Sequence, residues 1–202
     1  KVGLTESYNG STWSETGDLS TVRSMLAGCG TTTAGLAFGG SLPPGGVSNS
    51  TEEFGGSSWT AGGNMNTARR YLSGFGIQTA ALAVAGAEPS ASNKVEQYDG
   101  SSWTEIAEVN TARRELSGSG TTTAGLAFAG GPPATGATEQ WNGTTWTEVN
   151  DLGTARYRGA GAVPAPSTTT LAFGGTAGGN VANTEEFSFP PPTAAILTEG
   201  DI

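Results

Sequence analysis

Four dipeptides occupy equivalent places along this chain: Ser24-Met25, Arg70-Tyr71, Arg114-Glu115 and Tyr157-Arg158. The last three bring guanidinium, phenol and carboxylate groups to one kind of position. Guanidinium groups grip carboxylates and phosphates through paired N–H bonds, and Arg and Tyr are frequent interface anchors. Arg70, Arg114 and Arg158, with Tyr157 and an acid, are also the ingredients of a glycosidase that cleaves through a tyrosine nucleophile. No acid stands apart with a neighbourhood of its own, so binding is the favoured chemistry and hydrolysis the alternative.

Composition excludes other chemistries. There is no His among the 202 residues, so Ser-His-Asp and Cys-His nucleophiles and His-ligated metals cannot be built. A single cysteine, Cys29, permits neither an internal disulfide nor a multi-thiolate zinc site, and among its glycines it reads as a small buried filler. The net charge is −9, and the 9 basic residues form no stripe of the kind that tracks phosphates, so nucleic acid is not an expected partner. Gly118-Ser-Gly120 precedes a strand rather than a helix and is no phosphate loop. No cofactor and no metal are expected. No run approaches the ~18 apolar residues of a membrane span, so no membrane insertion is expected. Lys1-Val2-Gly3-Leu4 has neither an apolar signal core nor a starting Met, and Glu199-Gly200-Asp201-Ile202 stops abruptly, which suggests a piece of a longer chain.

The elements that position the dipeptides follow from internal repetition. Trp13, Trp59, Trp103 and Trp146 stand 46, 44 and 43 residues apart, each closing one phrase: Tyr8-Asn-Gly-Ser-Thr-Trp13, Phe54-Gly-Gly-Ser-Ser-Trp59, Tyr98-Asp-Gly-Ser-Ser-Trp103 and Trp141-Asn-Gly-Thr-Thr-Trp146. Ahead of them stand Glu6, Glu52, Glu96 and Glu139, with a fifth copy at Glu185. Behind them come Arg23, Arg69, Arg113 and Arg156, then a small-residue run and an apolar strand ending in a glycine pair or Ala-Gly, such as Leu36-Ala-Phe38-Gly-Gly. Each unit reads as four short strands. Asn9-Gly10, Asp99-Gly100 and Asn142-Gly143 predict type I′ hairpin turns, which need positive φ at both central residues. No stretch has a helical apolar period.

Glycine recurs in register in the run after each Arg: Ala27-Gly-Cys-Gly30, Ser73-Gly-Phe-Gly76, Ser117-Gly-Ser-Gly120 and Ala160-Gly-Ala-Val163. In a strand it packs nothing, so its repetition implies close approach of neighbouring backbones, as around the axis of a radial β-propeller. The aromatics then sit farther out, with the four Trp packing between blades. The recurring Arg are expected to donate charge-assisted hydrogen bonds to the recurring Glu or to strand-end carbonyls, with a ring of anion-binding cations as the alternative.

The order of glycine pair, aromatic, Trp and Arg before a small-residue strand resembles the kelch repeat over about four units. Departures are Phe38, Val84, Phe128 and Phe173 where kelch repeats carry Tyr, and Thr31-Thr-Thr-Ala34 or Thr121-Thr-Thr-Ala124 in place of an Asp-Gly turn. The phrase Thr-Glu-x-aromatic-Asn-Gly-x-x-Trp-Thr-Glu-Val is similar to the kelch-like arrays of bacteriophage tail and fibre proteins, marine phages especially. The resemblance implies an all-β, kelch-like β-propeller of about four four-stranded blades, closed or part of a larger ring. It spans residues 1–189, in units of about 5–50, 51–94, 95–137 and 138–183 with a partial unit 184–189, followed by a Pro-rich exit segment, 190–202. Four blades close if the strands around Tyr8 and Trp13 complete the blade begun at Ala160 and Phe173, leaving Thr184-Glu-Glu-Phe187 surplus; otherwise the repeat continues into a larger ring.

The implied function is a non-enzymatic binding or structural module on a virion surface or tail fibre, extracellular, for host recognition or assembly. Its expected partners are cell-surface glycans or neighbouring virion proteins, with homo-oligomers inside a virion. The alternatives are a glycan-active propeller, lectin-like or sialidase-related, and a cellular kelch scaffold for protein interactions. Kelch propellers that are copper-radical oxidases need His ligands, which are lacking. The box of sialidase-type propellers, Ser-x-Asp-x-Gly-x-Thr-Trp, is superficially similar to Tyr98-Asp99-Gly100-Ser-Ser-Trp103, but Asp99 lies one residue too close to the Trp. Recognition belongs where the repeat breaks: at Arg70, Tyr71, Arg114, Glu115, Tyr157 and Arg158, in the connections Ser41 to Ser50, Ala87 to Lys94, Gly131 to Ala137 and Thr176 to Asn183, and at Pro164-Ala-Pro166. Neutral drift in exposed loops is the alternative account of all three. Asn9-Gly-Ser11, Asn49-Ser-Thr51 and Asn142-Gly-Thr144 match glycosylation acceptors, two of them merely the predicted turns.

Overall fold

The computed structural model describes residues 2–162 and 169–188. They form an all-β fold, without helices among the described residues, in which antiparallel blades are arranged as a β-propeller. An N-terminal hairpin of β1 (Glu6–Tyr8) and β2 (Trp13–Glu15) comes first. The first blade contains β3 (Ala27–Gly30), β4 (Gly35–Phe38), β5 (Thr51–Phe54) and β6 (Trp59–Ala61). The second contains β7 (Ser73–Ile77), β8 (Ala80–Val84), β11 (Val95–Tyr98) and β12 (Trp103–Ile106), with a small side hairpin of β9 (Ala87–Glu88) and β10 (Ser90–Ala91) in its connection. The third contains β13 (Ser117–Gly120), β14 (Gly125–Phe128), β15 (Thr138–Trp141) and β16 (Trp146–Val149). The fourth has three strands among the described residues: β17 (Ala160–Gly161), β18 (Thr169–Phe173) and β19 (Thr184–Ser188).

The inner strands meet in chain order, β3 on β7, β7 on β13 and β13 on β17, while β17 and β3 share no comparable contact. Of the two arrangements the sequence left open, closure of the last blade by the N-terminal strands is not the one observed. The hairpin does not complete the last blade; β19 pairs with β18 over five residues, Thr169↔Ser188 to Phe173↔Thr184, and is not surplus. The hairpin lies against the first blade instead, with Trp59 Nε1 donating to Thr5 Oγ1 at 3.0 Å and Gly17 N to Ser57 O at 3.1 Å. Pro164-Ala-Pro166 and the Pro-rich segment fall outside the described residues.

The glycines of the run answer to backbone and to rings alike: a Cβ on Gly30, Gly76 or Gly120 would lie 2.2, 2.3 or 2.3 Å from the carbonyl oxygen of Ala34, Ala80 or Ala124, and the alternate glycines seat a phenyl ring. A Cβ on Gly74 would lie 2.5 Å from Cζ of Phe38 in the preceding blade; Gly118 and Gly125 seat Phe75 in the same way, and Gly161 seats Phe128. Each junction thus receives one phenyl group, and a small residue stands at the other inward position of the blade that supplies it: Cys29 with Phe38, Val84 with Phe75, Ser119 with Phe128. Phe38 and Phe75 are fully buried, and Phe128 is nearly so. The expected crowding is present in both forms, a ring against a backbone and backbone against backbone, since a Cβ on Gly161 would also lie 3.1 Å from Gly118 O of the neighbouring blade.

The predicted type I′ turns are also corrected. Tyr8 pairs with Trp13, which leaves a four-residue loop, and only the glycine has positive φ: Gly10 at 99°, Gly100 at 95° and Gly143 at 95°. The Asn or Asp closes the loop through its side chain. Asp99 Oδ1 accepts from the backbone N–H of Ser101 and Ser102, both at 2.8 Å, and Asn9 and Asn142 do the same. A side-chain acceptor that mimics a backbone turn replaces the second positive φ.

Candidate functional site

Each recurring Arg is buried and pins its own blade. Arg69 Nη2 donates to Glu96 Oε1 at 2.9 Å and to Ala83 O at 3.4 Å, while Nη1 donates to Ala85 O and Lys94 O at 2.7 Å each. Arg23 with Glu52 and Arg113 with Glu139 repeat the pattern at 2.9 and 2.8 Å. Arg156 reaches Glu185 at 3.0 Å, but there the carboxylate side chain is 26% exposed. Burial pulls the guanidinium pKa of Arg23, Arg69 and Arg113 down, and the facing Glu counteracts it. The second carboxylate oxygen accepts backbone N–H groups of Ser20, Asn66, Asn110 and Gly153 in turn. These Arg serve the fold. The alternative of a free ring of cations does not describe them, because every guanidinium is spent on a carboxylate and on strand carbonyls.

The Trp rings are spent as well. Trp103 stacks at 4.9 Å on Phe38 of the preceding blade and donates through Nε1 to Thr51 Oγ1 at 2.9 Å. Trp146 donates to Ala107 O, in the connection that follows the second blade. Trp13 differs: it is 66% exposed. Tyr98, packed 4.9 Å from Trp103, hydrogen-bonds the Glu53 carboxylate across the junction, and burial and this partner push its phenol up to about 12. Cys29 is half-buried rather than fully buried, and desolvation pushes its thiol up to about 12.

The side chains left over gather on one rim. Met25, Tyr71, Glu115 and Arg158 all have φ near +58°, within a degree, and their backbones form a serial ladder: Tyr71 N to Met25 O at 2.9 Å, Glu115 N to Tyr71 O at 2.8 Å, Arg158 N to Glu115 O at 2.9 Å. Side chains other than glycine rarely hold this conformation, so the inter-blade hydrogen bonds offset a local strain. The residue before each, Ser24, Arg70, Arg114 or Tyr157, bridges to Ser41, Ala87, Gly131 or Thr176, where the variable connections begin. Two of the three places where the repeat breaks are therefore one surface.

On this rim the six singled-out residues behave differently. Glu115 is buried and paired with Arg158, whose Nη2 donates to Oε1 at 3.1 Å and whose Nε lies 2.8 Å from Oε2. That partnership raises the Arg158 pKa. Arg158 also stands 5.4 Å from the Tyr157 ring centre, and Arg70 stands 5.6 Å from that of Tyr71. Arg70 and Arg114 have no carboxylate partner among the described residues. Tyr157 packs against Gly131 and borders an open depression with Arg158, Gly175, Thr176, Asn180 and Val181. Among the described residues no three of His, Cys, Asp and Glu come together as a metal site would require.

Sequence reasoning missed several contributors. Thr5 and Thr51, acceptors for Trp, precede the recurring Glu, and Val95 in that place explains why Trp146 turns to a carbonyl. The N–H caps on each Glu come from the residue three places before the Arg, a spacing visible in the repeat. No protein-family model matches the chain, and no curated protein matches it in sequence.

Proposed function

We propose that the chain is a non-enzymatic binding module, a kelch-like propeller array carried on a bacteriophage virion surface or tail fibre. The observation that carries this reading is the division of labour among the arginines. The frame consumes Arg23, Arg69, Arg113 and Arg156 internally, whereas Arg70 and Arg114 have no carboxylate partner among the described residues on the rim where the variable connections meet. Guanidinium groups beside Tyr71 and Tyr157 suit a cell-surface polysaccharide, with carboxylate or hydroxyl groups gripped by Arg and a sugar face laid on a phenol ring. The repeated array holds the rim rigid, and many copies on one virion multiply a weak contact into firm adsorption. A low-Lys, acidic surface suits a particle that stays soluble outside cells.

The rival is a glycoside hydrolase with Tyr157 as nucleophile. It needs a free acid beside the phenol, and the rim acid Glu115 is committed to Arg158. A glycan array with host-adsorption measurements on Arg70→Ala, Tyr71→Ala and Tyr157→Ala tests the proposal. Adsorption falls in each variant if the rim is the recognition surface, and unaltered adsorption in all three assigns the array to a spacer role. Turnover of a fluorogenic sialoside, abolished by Tyr157→Phe, would overturn the non-enzymatic reading.

A further inference from the structure

Of the nine Lys and Arg residues, Lys1 falls outside the described residues, and six of the other eight face a carboxylate. The four Arg pins take Glu52, Glu96, Glu139 and Glu185, Lys94 takes Glu105 at 3.4 Å, and Arg158 takes Glu115. Two remain, Arg70 and Arg114, and they hold the same place in consecutive blades. In a chain of net charge −9, with 18 acids against 9 cations, an unpaired cation is the exception. The acids lie elsewhere. The four dipeptides and the four variable connections contain the cations Arg70, Lys94, Arg114 and Arg158 against two acids, Glu88 and Glu115. These segments are net positive in a molecule that is net negative. Both free guanidinium groups also start from fixed points. Arg70 exchanges two backbone hydrogen bonds with Ala87, at 3.2 and 2.8 Å, and Gly131 N donates to Arg114 O at 2.9 Å. Tyr71 and Glu115, which follow them, are joined by the bond from Glu115 N to Tyr71 O, so the two Arg stand one rung apart on the ladder. Both are half-buried, and the Arg70 guanidinium lies against the Tyr71 ring.

We infer, on the basis of the recognition role proposed above, that the ligand of this rim is an acidic polysaccharide, with anionic groups of one polymer held by Arg70 and by Arg114 together. What this adds is that charge is read, and not the sugar face alone. The anionic group is a carboxylate or a phosphate, because the fork of a guanidinium fits both. Glu115 shows such a grip on the same rim, its carboxylate met by Arg158 Nη2 at 3.1 Å and by Nε at 2.8 Å. Arg70 and Arg114 offer the same donors to an anion from outside, and their anchored backbones reduce the freedom lost when it binds. A polymer that carries an acid on successive sugars meets both Arg at once, which multiplies two modest contacts. A polysaccharide suits the rim better than an acidic peptide does. The connections beside the two Arg are built mainly of Gly, Pro, Ala, Ser, Thr and Asn, and the depression at Tyr157 is bordered by Thr176 and Asn180, which offer hydroxyl and amide groups to a hydroxylated chain.

The test is direct binding of the whole chain to polygalacturonate, its fully methyl-esterified form, poly(glycerol phosphate), polyglutamate and dextran. Binding to polygalacturonate or to poly(glycerol phosphate), with the methyl ester and dextran bound at least about tenfold more weakly, supports the inference, and the arm that binds identifies the acid. Arg70→Gln and Arg114→Gln are each expected to weaken that binding about tenfold, as loss of one hydrogen-bonded charge does. Glu148→Gln, on the exposed face of β16, changes the net charge by as much in the opposite sense and is expected to leave binding within about twofold. A gain as large as the loss in the Arg variants would make bulk charge the cause and overturns the inference, and so does binding that both Arg variants leave unchanged. Equal binding of polygalacturonate and its ester, a comparison that needs no variant, overturns the inference while the wider recognition reading stands. Polyglutamate bound as tightly as the sugar polymers assigns the rim to an acidic peptide and overturns it as well. Binding to none of the five polymers also overturns it, and the glycan array and adsorption measurements then decide the wider reading on their own.

Discussion

The rule of one phenyl group per junction can be tested by moving the ring. In the second blade Phe75 on β7 fills the seam over Gly118 and Gly125, with Val84 beside it on the adjacent strand. In the fourth blade the ring stands on the other strand, as Phe173 with Ala162. Phe75 is fully buried in the cluster with Leu82, Val84, Leu116 and Trp146, so Phe75→Ala costs about 3–5 kcal/mol through lost transfer energy and a cavity. Val84→Phe alone places a second ring in a filled seam and costs about 1–3 kcal/mol by overpacking. Together they rebuild the pattern of the fourth blade, with the new ring over Gly118. The double variant is expected to lie about 2–3 kcal/mol closer to the parent than additive losses predict, at the upper end of measured couplings. Urea unfolding followed by the fluorescence of Trp146, which lies in this seam, measures all four members of the cycle. Additive losses would refute the rule and leave the register of glycine and phenylalanine a coincidence of sequence.

Other expectations concern the frame. Glu96→Gln strands a fully buried Arg69 cation and is expected to cost about 3–5 kcal/mol in urea unfolding, with most of the loss recovered by adding Arg69→Met. Asp99, held by the Ser102 and Ser101 N–H and hydroxyl groups, has its pKa lowered to about 2. Because the folded value is the lower one, its stabilisation is complete above the ordinary value of 3.8 and fades as pH falls toward 2. Asp99→Asn, which installs the residue found at Asn9 and Asn142, should keep the turn and remove that part of the acid sensitivity in a pH series of melts. Cys29, with its thiol pushed up to about 12, should react with a thiol reagent at pH 8 far more slowly than the unfolded chain, and comparable rates would contradict its desolvation.

The blades were legible because their signals are local and repeated. Trp, Arg, Glu and the glycine pair recur in one frame, and the glycine pairs hold consecutive positive φ at Gly39-Gly40 and Gly174-Gly175, with Ala85-Gly86 and Ala129-Gly130 as the tolerated variant. The hairpin turns were misjudged because Asn-Gly signals a two-residue loop only when the flanking residues pair directly, and here the aromatics pair two residues farther along. Closure stayed open in the sequence because β1 and β19 carry similar phrases, and one-dimensional likeness does not decide which of two equivalent strands takes a shared edge. That the dipeptides after each Arg occupy equivalent places was readable from the repeat, and the backbone ladder through Met25, Tyr71, Glu115 and Arg158 joins those places on one rim. That Glu115 is satisfied by Arg158 while Arg70 and Arg114 are not was invisible, since it depends on how far each side chain leans across to the next unit.

The seams have a consequence for how such a chain varies in length. Each is an agreement between immediate neighbours only, a ring from one side and a bare backbone from the other, and every unit brings both halves. Removing or duplicating one whole period therefore keeps a ring facing a glycine of the next inner strand at each remaining internal seam. An array bonded only through nearest neighbours accepts a change in blade number with adjustments confined to the seam where units were lost or gained.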